Sequence, residues 1–273
     1  MILTVLVPLL AQVGPGTALP QAPVEIHHRQ QQSAPEPSRL ARCLAQTKSD
    51  PAAAIDLALI WRASETGALR AEAEQCLGVA QSRTGRWSEA EESFIAARDD
   101  TPVSERSLRA MRGAMAGNAA LAADRAAAAL ALLDVARSDA LDAADPAQAG
   151  EIAIDRARAL VALERPAEAA AALAEARDRS PGNPQAWLLS ATLARREGQL
   201  AEAQNQIERA AEINPRDPEI GLEAGVIAVL SGRDAAARQS WQSVIAAAPG
   251  SEAAKVAQGY LDQLGPADAP SPR

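Results

Sequence analysis

In GQLAEAQNQIERAAEINP, residues 198–215, the apolar positions Ala203, Ile207 and Ala210 recur four and three residues apart among polar neighbours. That spacing marks one face of a helix, opened by Gly198 and closed by Pro215. The face is built from small residues around one large one. Moved 34 residues downstream, the same positions read Gly232, Ala237, Trp241, Val244 and Pro249; moved 34 upstream they read Glu164, Ala169, Leu173, Ala176 and Pro181. The offsets fit again, out of phase, at Gly85, Ala90, Phe94, Ala97 and Pro102. A repeated small–large–small face ended by proline predicts an array of helices whose axes approach closely, each gap plugged by one bulky side chain. β-Branched runs are absent after the N-terminus, so the predicted fold is all-α.

The repeat resembles the tetratricopeptide repeat, a 34-residue pair of antiparallel helices A and B. It is carried by Leu77-Gly78, Gly85, Ala90, Phe94, Ala97 and Pro102; by Trp187, Gly198, Ala203, Ile207, Ala210 and Pro215; and by Ala224-Gly225, Gly232, Ala237, Trp241 and Pro249. The resemblance implies a right-handed superhelical solenoid of antiparallel helix pairs over residues 38–265, in which stacking makes the core. Its units are expected at 38–70 (degenerate), 71–104, 105–149 (divergent), 150–183, 184–217 and 218–251, with a cap helix at 252–264. In the unit at 150–183, Glu164 replaces the turn glycine, so that turn must avoid positive φ or accept strain. In the divergent unit Gly117-Asn118 reads as a turn, and 47 residues separate Gly117 from Glu164, which predicts an overlong helix B over 119–139 and a loop at DAADP.

Composition changes the picture in two ways. Hydrophobic residues make up 48% of the 273-residue chain but aromatics only 2%, so alanine supplies much of the apolar surface, as close-packed helices require. The 27 basic and 35 acidic residues leave a net charge of −8, which argues against a nucleic-acid partner. Outside the repeats, Ile2–Val13 is an apolar run too short to span a bilayer, followed by Gly16-Thr17-Ala18. It reads as a signal peptide over 1–18, although its start has no Lys or Arg, and so places the mature chain in the periplasm without a membrane span. The alternative is an uncleaved segment anchoring the chain in the inner membrane. Residues 19–37, rich in Pro and Gln, and 266–273 read as disordered tethers.

No catalytic constellation is found. His27 and His28 sit in the N-terminal tether, Glu89, Glu91 and Glu92 share a helix with Arg86 as a solvated face does, and no phosphate loop, Gly-x-Ser-x-Gly or His-Glu-x-x-His occurs. No enzyme activity, cofactor or metal is expected. Trp187 and Trp241 occupy large core positions of the repeat, whereas Trp61, at a helix end, and Trp87, after a turn, are free to be exposed. Cys43 and Cys76 fall in helices A of successive units; they are either a disulfide of an exported protein or two small buried thiols.

The tetratricopeptide resemblance implies that helices A line a concave groove taking a protein or peptide segment. By register its lining is Gln75, Val79 and Arg83; Ile154 and Arg158; Leu188, Thr192 and Arg195; and Leu222, Val226 and Val229. The last three also suit contact with the cap helix. Apolar positions interleaved with arginine suggest a partner with an apolar anchor and acidic character. The expected role is a non-enzymatic interaction adaptor of the bacterial envelope. The alternatives are a self-associating structural subunit and an accessory module of an envelope enzyme complex.

Overall fold

The computed structural model describes residues 36–265, and the calls on a signal peptide, on His27 and His28, and on the terminal tethers lie outside them. The described residues form thirteen helices and no strand. These are α1 (Arg39–Ser49), α2 (Pro51–Ala63), α3 (Gly67–Arg83), α4 (Trp87–Asp99), α5 (Arg106–Ala122), α6 (Ala126–Asp142), α7 (Pro146–Ala162), α8 (Pro166–Arg179), α9 (Pro184–Arg196), α10 (Leu200–Ile213), α11 (Pro218–Leu230), α12 (Asp234–Ala247) and α13 (Glu252–Leu264). Each helix packs on its neighbours in the chain. Among the A helices α1 also meets α3, α5 meets α7, α7 meets α9, α9 meets α11, and α11 meets α13. The fold is an all-α solenoid of helix pairs.

Helix starts are written locally. Ser38, Asp50, Asp145, Asn183, Asp217 and Ser251 accept hydrogen bonds from backbone N–H groups in the first turns of α1, α2, α7, α9, α11 and α13. Pro51, Pro146, Pro184 and Pro218 stand at helix starts, where a missing N–H costs nothing. Helices α8, α10 and α12 stop just before Pro181, Pro215 and Pro249.

Within every pair from α3 on, one small residue of helix A faces one large residue of helix B sixteen positions later. The couples are Gly78 with Phe94, Gly117 with Leu133, Ala157 with Leu173, Ala191 with Ile207 and Gly225 with Trp241. All five large residues are buried, and the alanines four before them (90, 129, 169, 203 and 237) are fully so. A Cβ on Gly78 would stand 2.6 Å from the Phe94 ring, and one on Gly117 would stand 2.5 Å from Leu133 Cγ. The glycines let the helix axes close on the plug.

This register corrects the expectation for the divergent unit. Gly117-Asn118 is no turn, because α5 runs through it to Ala122, and helix B is α6, Ala126–Asp142, not 119–139. The chain reverses at Asp124 instead, at φ 58°. There the Arg125 N–H reaches back to the Ala120 carbonyl (2.9 Å), the bond of a Schellman cap. The same cap, with its left-handed residue, recurs at Gly85, Glu164, Gly198 and Gly232, and also at Ala144, which joins α6 to α7. Glu164 thus accepts the strained turn, at φ 57°. Residues 124, 144 and 164 are 20 apart, so α5, α6 and α7 are three successive 17-residue helices. The surplus length lies in extra helical turns of α5, α6 and α7, with no protruding loop.

The array has a treated edge at each end. At the C-terminal end α13 covers Trp241, whose ring lies 5.0 Å from that of Tyr260. At the other end Cys43 of α1 and Cys76 of α3 stand at disulfide distance, with Cα atoms 6.1 Å apart. Trp61 is 1% exposed and roofed by the Arg39 guanidinium 4.6 Å from its ring, correcting the expectation that it is free. Trp187 is half-buried, its Nε1 donating to the Pro181 carbonyl (3.0 Å), while Trp241 is core.

Candidate functional site

The predicted groove residues divide by depth. Gln75, Ile154 and Leu188, each three positions before the small residue of its helix A, are only 6%, 4% and 5% exposed. They are seam packing, which corrects their assignment as lining. Gln75 accepts a hydrogen bond from Arg112 Nε (3.0 Å), and the buried Arg112 also donates to Thr101 Oγ1. Burial pushes the Arg112 guanidinium below the usual arginine range, against the pull of Glu72 and Glu105.

Positions one, four and five after the small residue stay accessible, and they come together in three depressions along the A helices. The first, of about 370 Å³ between α3 and α5, is lined by Val79, Ser82, Arg83, Trp87, Met115 and Asn118 among others. The second, about 190 Å³ between α7 and α9, takes Arg158, Val161, Leu189, Thr192 and Arg196. The third, about 240 Å³ between α11 and α13, takes Val226, Val229, Leu230 and Tyr260. Val79, Arg83, Arg158, Thr192, Val226 and Val229 are therefore brought together in this row. Leu222 is half-buried in the cluster under α13 and lines none of the three.

Charge decorates the row unevenly. Arg83 and Arg196 are exposed and make no ion pair among the described residues, whereas Arg158 Nη1 donates to Asp155 Oδ1 (2.6 Å). The second oxygen of Asp155 accepts from Asn118 Nδ2 (2.8 Å), tying α5 to α7. Arg195, predicted as lining, is bound through Nε and Nη2 to both oxygens of Glu223 (2.6 and 3.3 Å); it braces α9 on α11, and Arg196 lines the depression in its place. Sequence reasoning missed Met115 and Asn118 because the assumed turn at 117 broke the register of α5. Counting 16 back from Leu133 would have restored it. Among the described residues no cluster of His, Cys, Asp and Glu could hold a metal ion.

Helix pairs stacked with one small–large couple each, and an accessible row on the A helices, define an α-helical repeat solenoid. Within that class the repeat is similar to the tetratricopeptide repeat. A tetratricopeptide-repeat family model matches residues 160–224, and the same couple and turn continue on both sides of that span. No curated protein matches the chain in sequence. Among solved structures it is similar to PilF of Pseudomonas aeruginosa, at 16% identity and a TM-score of 0.61, over 81% of this chain and 96% of that one. It is similar also to BtubC (BKLC) from P. vanneervenii, at 16% identity and TM-score 0.55, over 87% and 96% of the two chains. A third is MamA from Desulfovibrio magneticus RS-1, at 13% identity and TM-score 0.53, over 67% and 97%. At these identities the likeness is one of fold.

Proposed function

We propose that this protein is a non-enzymatic adaptor of the bacterial envelope that takes an extended or helical partner segment along its A helices. The observation that carries the reading is the row of three apolar depressions with Arg83, Arg158 and Arg196 at its edges. Such a row suits a segment with spaced apolar anchors and carboxylates between them, since guanidinium groups take carboxylates through paired hydrogen bonds. The short Ile2–Val13 apolar run and the cysteines at disulfide distance support export to an oxidising compartment.

The test is crosslinking capture from envelope fractions with Val79→Glu/Thr192→Glu/Val229→Glu, in parallel with Arg83→Glu/Arg196→Glu. Arg83 and Arg196 are exposed, whereas Val79, Thr192 and Val229 are half-buried and Val79 and Val229 touch the core, so circular dichroism checks that helix content is kept and the arginine variant tests the groove without disturbing packing. Partners captured by the native chain are expected to be lost in both variants. Full capture by both would overturn the groove reading. A second reading, self-association, is favoured by α2, whose outer face leaves Leu57 43% and Ile60 70% exposed. Light scattering at micromolar concentration separates the two, because the adaptor stays monomeric until its partner is added.

A further inference from the structure

The B helices carry a ladder of arginines that breaks at one step. Arg98, Arg137 and Arg177 each follow the small residue of their unit by 20 positions. Arg98 pairs with Asp139 on the next B helix (2.7 Å), and Arg137 pairs with Glu175 on the next (2.8 Å). Arg177 should meet a carboxylate of α10 and does not. Its Nη1 donates to Ser190 Oγ (2.5 Å), its guanidinium lies 5.3 Å from the Trp187 ring, and it makes no ion pair among the described residues.

Where the ladder breaks, a cleft of about 420 Å³ opens between α8 and α10 over α9, lined by Arg177, Glu197, Glu202 and Gln206 among others. Gln206 is only 7% exposed, yet its Oε1 accepts no hydrogen bond. The amide cannot turn over to remedy this. Its Nε2 donates to Glu202 Oε1 (2.5 Å), and the flipped form would set oxygen against carboxylate oxygen. Glu202 thus holds the free acceptor in place. Among the described residues neither Glu197 nor Glu202 has an Arg or Lys partner, their hydrogen bonds coming from Gln199 and Gln206. The cleft gathers an uncompensated cation, two uncompensated carboxylates and a buried acceptor awaiting a donor. Trp61 Nε1 and Gln148 Oε1 are also without a partner among the described residues, but Gln206 belongs to the lining of a cleft that holds unpaired charges, and an unmade buried bond is costly.

We propose that this cleft is a second binding site for a short peptide segment that is cationic at one end and anionic at the other. A basic side chain donates to Gln206 Oε1 and pairs with Glu202 and Glu197, while a carboxylate pairs with Arg177. Arg177, Glu202 and Gln206 line none of the A-helix depressions, so the site stands or falls apart from the groove reading.

The experiment titrates N-acetyl-Arg-Gly into the full chain and follows the Gln206 side-chain amide and the Trp187 indole by NMR. Two control peptides are the C-terminal amide, which lacks the carboxylate, and the citrulline analogue, which lacks the cation. Each is expected to bind about tenfold more weakly, the loss of one charge-assisted hydrogen bond. Arg177→Gln should erase the preference for acid over amide, and Glu202→Gln the preference for arginine over citrulline. Both substitutions are at positions where folding is checked by circular dichroism. Equal binding of all three peptides, preferences unchanged in the two variants, or no shift up to about 10 mM ligand would overturn the proposal and leave Gln206 to water.

Discussion

At residues 117 and 164 the same amino-acid change, glycine exchanged for something larger or the reverse, acts through opposite physics. Gly117 lies inside a helix, where alanine would gain about 1 kcal/mol of propensity. Its added methyl, however, falls 2.5 Å from Leu133 Cγ and 2.8 Å from Cδ2, against a fully buried side chain that cannot retreat. Overpacking of that kind costs about 1–3 kcal/mol, so Gly117→Ala is expected to destabilise in urea titration. Glu164 lies at a turn, at φ 57°, in the left-handed region. Relief of that strain is worth about 1–2 kcal/mol and the lost backbone rigidity about 0.5–1, so Glu164→Gly should stabilise by about 0.5–1 kcal/mol. Were Gly117→Ala to stabilise as well, the close contact between α5 and α6 would be wrong.

At the scale of helices, the couples of Phe94, Leu173, Ile207 and Trp241 with their flanking small residues were legible, because bulk alone identifies a plug among alanines. The turns were legible where glycine marks them, at Glu164 by register and near Ala144 as the loop at DAADP, whereas the turn at Asp124 was not. Asp124, Ala144 and Glu164 adopt the same left-handed cap without the signal, since the flanking helices and the back-reaching N–H bonds impose it. Gly117 gave the opposite error, a contact glycine read as a turn. Of the groove, residues one, four and five after the small position were recoverable from register; the depth that separates Leu188 from Thr192 was not, because it depends on how closely neighbouring A helices approach. Arg195 and Arg196 show the same limit, as only the placement of Glu223 decides which is braced. Salt links between helices are equally invisible in one dimension. Glu175 of α8 accepts from Arg137 of α6 and Arg179 of its own helix (2.9 and 2.8 Å). Burial pulls its carboxyl up, but the bonds and charges of Arg137 and Arg179 outweigh this and hold it below the usual range. A depressed carboxyl stabilises the fold above its unfolded value of about 4.3, and that stability is lost as pH falls through the lower folded value. Glu175→Gln should therefore cost about 1–2 kcal/mol at pH 7, the gap to the native chain closing as the pH is taken below about 4. A gap independent of pH would mean that packing, not charge, is what the substitution disturbs.

At the scale of the molecule, a solenoid is only as secure as its ends, because each pair touches little beyond its neighbours. The C-terminal edge is closed by burial, with α13 laid over Trp241. The N-terminal edge is not: α1 has 11 residues, and α2 leaves Leu57 and Ile60 to solvent. Burial alone would leave that pair the first to fray. The cysteines compensate by a different means. A bridge across the 33-residue separation of Cys43 and Cys76 would restrict the unfolded chain by about 3–4 kcal/mol on the chain-entropy account, and would tie α1 to α3 without any added apolar surface. The consequence is local. Cys76→Ser, or reduction of the native chain, should release hydrogen-exchange protection over α1 and α2 while leaving α7 to α13 protected, because nothing but successive interfaces carries the loss along the array. A free-thiol count on the unreduced protein should read zero. Loss of protection spread evenly over all thirteen helices would instead mean that the array unfolds as one cooperative unit, and the bridge would then serve the whole solenoid rather than its exposed end.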